Sequence, residues 1–130
     1  MEAAHLLENT IRVVIADDEP LFVEMVQALL AAEAGIEVIA TAHDGREALE
    51  LANQVNPDVL VMDVSMPVMD GIEATQKIRA SDPNACILIL TGGTNPGDID
   101  RARQAGAAAY ITKDRIATDL VAEIRQLGSR

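Results

Sequence analysis

Five short apolar runs, Val13–Ala16, Val38–Ala42, Val59–Met62, Ile87–Leu90 and Ala108–Ile111, alternate with longer amphipathic segments. Most of the runs are apolar at consecutive positions rather than at every second one. That pattern suits strands covered on both faces, as in a parallel sheet. Parallel neighbours need a crossover between them, and each intervening segment is long enough to be a helix. The order predicts (βα)5, an α/β doubly wound parallel sheet with helices on both faces and right-handed connections.

The helical segments carry their own punctuation. In the first, Leu21, Met25 and Leu29 recur at i, i+4 and i+8, with Phe22, Val26 and Leu30 beside them. In the second, Ala48, Leu51, Ala52 and Val55 follow the spacing of one helix face. Asp44 stands ahead of it as an N-cap and Pro57 behind it as a stop. A third helix is predicted over Gly71–Ala80, with Asp70 placed to cap it. A fourth runs from Gly97 to Ala105 and ends on Gly106; it is polar and weakly amphipathic. The fifth puts Ile116, Leu120, Ile124 and Leu127 on one stripe. The domain so defined occupies residues 11–127, with 1–10 as an N-terminal extension and 128–130 as a tail or the start of a linker.

The chain has 130 residues, enough for one domain with a core of its own. Its formal charge of −11 repels phosphate backbones and argues against direct nucleic-acid binding. The single cysteine, Cys86, excludes an intrachain disulfide and a cysteine zinc site, and its apolar setting reads as core packing. The N-terminus lacks the pattern of a signal peptide, and no apolar run reaches the length of a membrane span, so a cytoplasmic location is expected.

In open α/β sheets, ligands bind outside the carboxyl ends of the strands. The first strand ends on Asp17-Asp18, the third on Asp63, the fourth on Thr91 and the fifth on Thr112-Lys113. Each residue has an ordinary reading. Asp17 or Asp18 can cap the helix that begins near Pro20, Thr91 can be loop polarity, and Lys113 can be a surface lysine. Asp63 lies too far from Gly71 to cap the next helix. Together, three carboxylates, a hydroxyl and an ammonium converge on one edge. Clustered carboxylates repel, and a hard divalent cation such as Mg2+ relieves that repulsion. A phosphoryl group bridged by that ion would want a hydroxyl and a cation on its far side. The set is therefore the one that phosphoryl transfer needs. The run TGGTNPGD at 91–98 is no P-loop, because Gly97 is followed by Asp98 and Ile99 instead of Lys-Ser/Thr. The two histidines, His5 and His43, read as terminal and surface residues.

Four ordered motifs resemble those of bacterial response regulator receiver domains: VVIADDEP at 13–20, VLVMDVSMPVMDG at 59–71, ILILTGG at 87–93 and AGAAAYITKD at 105–114. The Lys113-Asp114 ending resembles the NarL/LuxR-like branch. The resemblance implies a flavodoxin-like sheet in the order 2-1-3-4-5, an order that receiver proteins exemplify. It implies that Asp63 accepts a phosphoryl group from a sensor histidine kinase. Asp18, Asp63 and the backbone carbonyl of Ser65 would hold Mg2+, with Asp17 acting through water. Lys113 would pair with the phosphoryl oxygens, Thr91 would swing to hydrogen-bond them, and Tyr110 would turn inward behind it. The helix 4–strand 5–helix 5 face would carry the signal onward, with homodimerisation through that face or another. The branch resemblance points to transcription regulation, DNA being bound only by a C-terminal output domain outside this chain. Much of the family has Lys-Pro with a cis bond where Lys113-Asp114 stands here. The resemblance therefore leaves that bond's geometry open, and Asp114 is a candidate cap for the fifth helix.

Three function classes compete. The first is a phosphoacceptor switch that is not an enzyme. The second is a Mg2+-dependent phosphohydrolase with an aspartate nucleophile; such enzymes commonly need an acid two residues after the nucleophile, where this chain has Ser65. The third is a pseudo-receiver that serves only as a protein-interaction module, which would have no need of the full set Asp17, Asp18, Asp63, Thr91 and Lys113. Within the first class, a stand-alone receiver acting through protein–protein interaction is the alternative to a transcription regulator.

Overall fold

The computed structural model describes residues 10–93 and 95–129; His5 and the rest of the N-terminal extension before Thr10 lie outside that range. Five strands, β1 (Ile11–Ala16), β2 (Ile36–Ala42), β3 (Val59–Asp63), β4 (Ile87–Thr91) and β5 (Ala109–Thr112), alternate with five helices. The helices are α1 (Pro20–Ala31), α2 (Gly45–Val55), α3 (Gly71–Ser81), α4 (Pro96–Ala105) and α5 (Ile116–Gly128). All strand pairs are parallel, and their order is β2-β1-β3-β4-β5.

The pleat sends alternate side chains of each central strand to opposite faces. Val13, Ile15, Val59, Val61, Leu88 and Leu90 join a core with α1 and α5. Val14, Ala16, Leu60, Met62, Ile87 and Ile89 join a second core with α2, α3 and α4. Both sides of β3 and β4 are buried throughout, which is why those runs show no polar alternation. The strand β2 lies at the sheet edge and is only half-buried over most of its length.

The caps fall where the sequence puts them for α2 and α3. Asp44 accepts the Glu47 N–H and Asp70 accepts the Glu73 N–H, each at 2.8 Å. Helix α4 begins one residue earlier than expected, at Pro96, with Asn95 as its N-cap, and stops at Gly106 with φ 103°. The stripe Ile116, Leu120, Ile124 and Leu127 is buried.

Two expectations need correction, and one bond left open takes its geometry here. The buried face of α1 is Val23, Val26 and Leu30, whereas Leu21 and Met25 are 79% and 50% exposed. This helix is apolar almost all the way round, so periodicity alone could not select a face; its docking on the sheet does. Asp114 does not cap α5, which starts from a 3-10 turn at Lys113–Arg115 with no side-chain cap. The Lys113–Asp114 bond is trans. Helix α5 also takes in Gly128, which packs against the Ile11 side chain, so the last turn closes on the start of β1.

Candidate functional site at the carboxyl edge of the sheet

Strand register brings the polar residues together. Ala16 of β1 lies beside Met62, so Asp17 and Asp63 emerge from adjacent strands. Thr91 lies beside Thr112, so Lys113 begins one residue beyond the end of β4. Oxygens of Asp17, Asp18 and Asp63 all lie within 4.8 Å of one another. Asp17 and Asp63 are 0% and 6% exposed, while Asp18 is open to solvent.

Neither Asp17 nor Asp18 caps α1. The N-cap is Glu19, which makes no side-chain cap bond, and the helix starts on Pro20. Asp17 instead accepts the Glu19 N–H at 2.9 Å through one oxygen and the Lys113 ammonium at 3.1 Å through the other. Lys113 also stands 3.3 Å from Asp63. One ammonium therefore bridges two buried carboxylates, and a third carboxylate is left for solvent or an ion.

This arrangement shifts the acidities. Burial, joined by the charge of Asp17, raises the Asp63 pKa to about 6, although Lys113 pulls the other way. Burial disfavours the Lys113 ammonium, but Asp63 and Asp17 together outweigh it and raise the Lys113 pKa above the ordinary lysine value. Asp63 is thus an ionised carboxylate above about pH 6, held next to the Lys113 ammonium. Three oxygen donors of hard character, one of them open to solvent, fit a Mg2+ ion that keeps part of its water shell.

The segment after Asp63 is shaped by tight backbone contacts. Gly71 donates its N–H to the Val64 carbonyl at 2.8 Å. A side chain at Gly71 would collide with the Asp63 carbonyl oxygen, so only glycine lets α3 start this close to the site. Between them, Met69 donates to the Pro67 carbonyl at 2.7 Å and Val68 has φ 70°. This is a γ-turn of the rare, strained hand. Ser65 is exposed and lines a cleft of about 700 Å3 with Asp18, Met66, Pro67, Asp70, Asn95, Asp98 and Arg101. Asp70 thus borders the cleft but is engaged as a cap.

Thr91 is buried and its hydroxyl accepts the Gly93 N–H at 2.8 Å. Tyr110 is 41% exposed and borders two grooves on the β5 side, of about 500 and 450 Å3. His43 lies on the surface after β2, 3.1 Å from Glu47, away from this constellation. Two features escaped the sequence reading. Arg101 of α4 enters the cleft wall, paired with Asp98. Phe22 of α1 lies with its ring centroid 4.2 Å from the Lys113 ammonium. The signal available for Phe22 was that it is the chain's sole phenylalanine.

Comparison with known proteins agrees with this geometry. Residues 13–125 match the response regulator receiver domain family. The transcriptional regulatory protein PdtaR of Mycobacterium tuberculosis is 44% identical over 119 residues, which cover 92% of this chain and 57% of PdtaR. The transcriptional regulatory protein DegU of Brevibacillus brevis is 36% identical over 118 residues, 91% of this chain and 50% of DegU. The chain therefore spans about half the length of these relatives. The signal receiver domain of the response regulator NarL from Mycobacterium tuberculosis superposes with a TM-score of 0.88 at 33% identity, over 93% of this chain and 98% of that one. No helix among the described residues is long and apolar enough to cross a membrane. With the five-stranded fold, the aspartate cluster and the match over 13–125 in agreement, the chain belongs to the receiver domains of two-component response regulators.

Proposed function

We propose that Asp63 is the phosphoacceptor and that the chain is a switch rather than an enzyme. The observation that carries this reading is the single ammonium of Lys113 shared between the buried carboxylates of Asp17 and Asp63. Such a site has a nucleophilic oxygen, a counter-charge and an acidic pair, all held before any ligand arrives. A carboxylate oxygen of Asp63 attacks the phosphorus of a phosphohistidine on a sensor histidine kinase. The new O–P bond forms as the P–N bond breaks, and the imidazole leaves. Asp18, Asp63 and the Ser65 carbonyl would hold Mg2+ directly, with Asp17 acting through water. Held there, Mg2+ would supply positive charge to offset that of the phosphoryl group.

After transfer, Lys113 has phosphoryl oxygens to pair with in place of the Asp63 carboxylate. The Thr91 hydroxyl exchanges its Gly93 partner for the phosphoryl group. Gly92 and Gly93 let that loop move at low steric cost; Gly93 already has φ 79°. Tyr110 turns inward behind Thr91. The α4–β5–α5 face is reshaped, as a shift in a two-state equilibrium. That face then serves an output, which in the curated relatives named above is transcription regulation, by homodimerisation or by contact with a DNA-binding domain outside this chain. The working location is the cytoplasm.

Intact mass spectrometry tests the reading directly. With Mg2+ and a small phosphodonor, the parent chain gains one phosphoryl group and Asp63→Asn gains none. An unmodified parent chain would sink the proposal, and fast turnover of unrelated phosphate esters would favour a phosphohydrolase.

A further inference from the structure

The ring of Phe22 has no assigned part in the chemistry, yet its centroid lies 4.2 Å from the Lys113 ammonium. The rest of the ammonium's surroundings is specified: Asp17 at 3.1 Å and Asp63 at 3.3 Å. An ammonium has three N–H donors, so two carboxylates leave part of it uncovered. The face of an aromatic ring covers that part with attractive negative charge. It does so without a lone pair, so it does not compete for the direction of any N–H bond.

Core filling is the ordinary explanation for an apolar residue here, and Phe22 does pack against the α1–α5 core. That explanation does not account for the residue type. The chain has one phenylalanine and no tryptophan, and its interior is built from Val, Ile, Leu, Ala and Met. Leucine occupies three of the other positions on the same helix, and would fill the volume. The only phenyl ring in the protein stands at the only lysine of the site. Lys113 is only 28% exposed at its side chain, so the contact is partly shielded from water, where such attraction is stronger.

We propose that Phe22 is a positioning residue for Lys113, its ring face holding the ammonium at the phosphoacceptor. The inference rests on the phosphoacceptor reading above. A point acceptor would tie the ammonium to one place. A ring face attracts it over an area, so Lys113 can leave the Asp63 carboxylate for a phosphoryl oxygen without losing its support.

The test compares the parent chain with Phe22→Leu and Phe22→Tyr by lysine side-chain NMR and by phosphorylation kinetics. The chain has two lysines, Lys77 and Lys113, so the side-chain signals are assignable by substitution of one. In the parent, ring current displaces the Lys113 ε-methylene protons upfield of those of Lys77. Phe22→Leu abolishes the displacement. It also lowers the maximal rate of phosphoryl uptake from a small phosphodonor at saturating Mg2+ by about 3- to 10-fold. Half-saturation by Mg2+ stays at the parent value, and Phe22→Tyr restores both shift and rate. A role in packing alone would move the melting temperature without the lysine signal. Coincident Lys77 and Lys113 signals in the parent, or a parent-like rate in Phe22→Leu, would overturn the proposal. So would equal loss of rate in both variants. If Phe22→Leu does not fold, the signals of the parent and Phe22→Tyr decide. A parent chain that takes up no phosphoryl group would refute the phosphoacceptor reading, while the lysine signal would still report on the ring contact.

Discussion

Asp63 is a residue whose ionisation the fold opposes. Its pKa stands at about 6 against 3.8 for an ordinary aspartate, because burial and the Asp17 charge outweigh Lys113. The sign of the stability effect follows from proton uptake. Between these two values the folded chain binds the proton more tightly than the unfolded chain, so stability falls as pH rises from about 4 to about 6. Above about 6 the ionised carboxylate costs the folded state its full penalty. Asp63→Asn resembles the protonated acid and removes that penalty. In Mg2+-free buffer near pH 7.5 it raises unfolding stability by about 1–3 kcal/mol. The gain shrinks as pH falls through 6 and is absent below about 4. Urea melts of both chains across this range check it; a gain that does not depend on pH would show that packing, not charge, is responsible.

At the scale of elements, the connection from β3 to α3 concentrates strain and close contact beside Asp63. Val68 is β-branched, 77% exposed and at φ 70°. The left-handed region costs an L-residue roughly 1–2 kcal/mol, and glycine avoids that cost while losing more chain entropy on folding. Val68→Gly therefore gains about 1 kcal/mol net in a denaturant melt. A loss would mean that the exposed valine makes a contact worth more than its strain. Gly71 is the opposite case. Its Cα faces the Asp63 carbonyl, and Gly71→Ala forces the strand end and the helix start apart. The expected cost is about 1–3 kcal/mol, with slower phosphoryl uptake because Asp63 itself is displaced. Unchanged kinetics in Gly71→Ala would show that the loop absorbs the extra methyl group. Both effects belong to a tertiary contact between segments eight residues apart, not to helix or strand propensity.

Across the whole molecule, the site and the α4–β5–α5 face share the strand ends Thr91 and Thr112, which are neighbours in register. A change of partner at Thr91 can therefore move the β4–α4 loop and the Tyr110 side chain together. Amide exchange over 91–105 should change when a phosphate mimic and Mg2+ are added. In Thr91→Ala the mimic should still bind Asp63 while the exchange response over 91–105 is lost. An intact response in that variant would remove Thr91 from the switch. The exposed Tyr110 and its two flanking grooves leave this face open to solvent.

The order of elements, the parallel sheet and the edge that carries the site were legible in the sequence. Continuous apolar runs such as VLVM and ILIL can be stable only when both faces are covered, and that local requirement dictates a doubly wound sheet. The charged strand ends follow from the same logic, since Asp63 and Lys113 interrupt patterns that are otherwise apolar. The buried face of α1 was not legible, because its apolar residues nearly surround the helix and only docking distinguishes Val23 from Leu21. Nor could spacing show that Asp17 binds Lys113 rather than capping a helix, a contact between residues 96 positions apart. The same holds for the ring of Phe22 at Lys113. Periodicity records which side of an element avoids water; which side chain meets which across the sheet edge is decided only when strand register and helix rotation are set by packing.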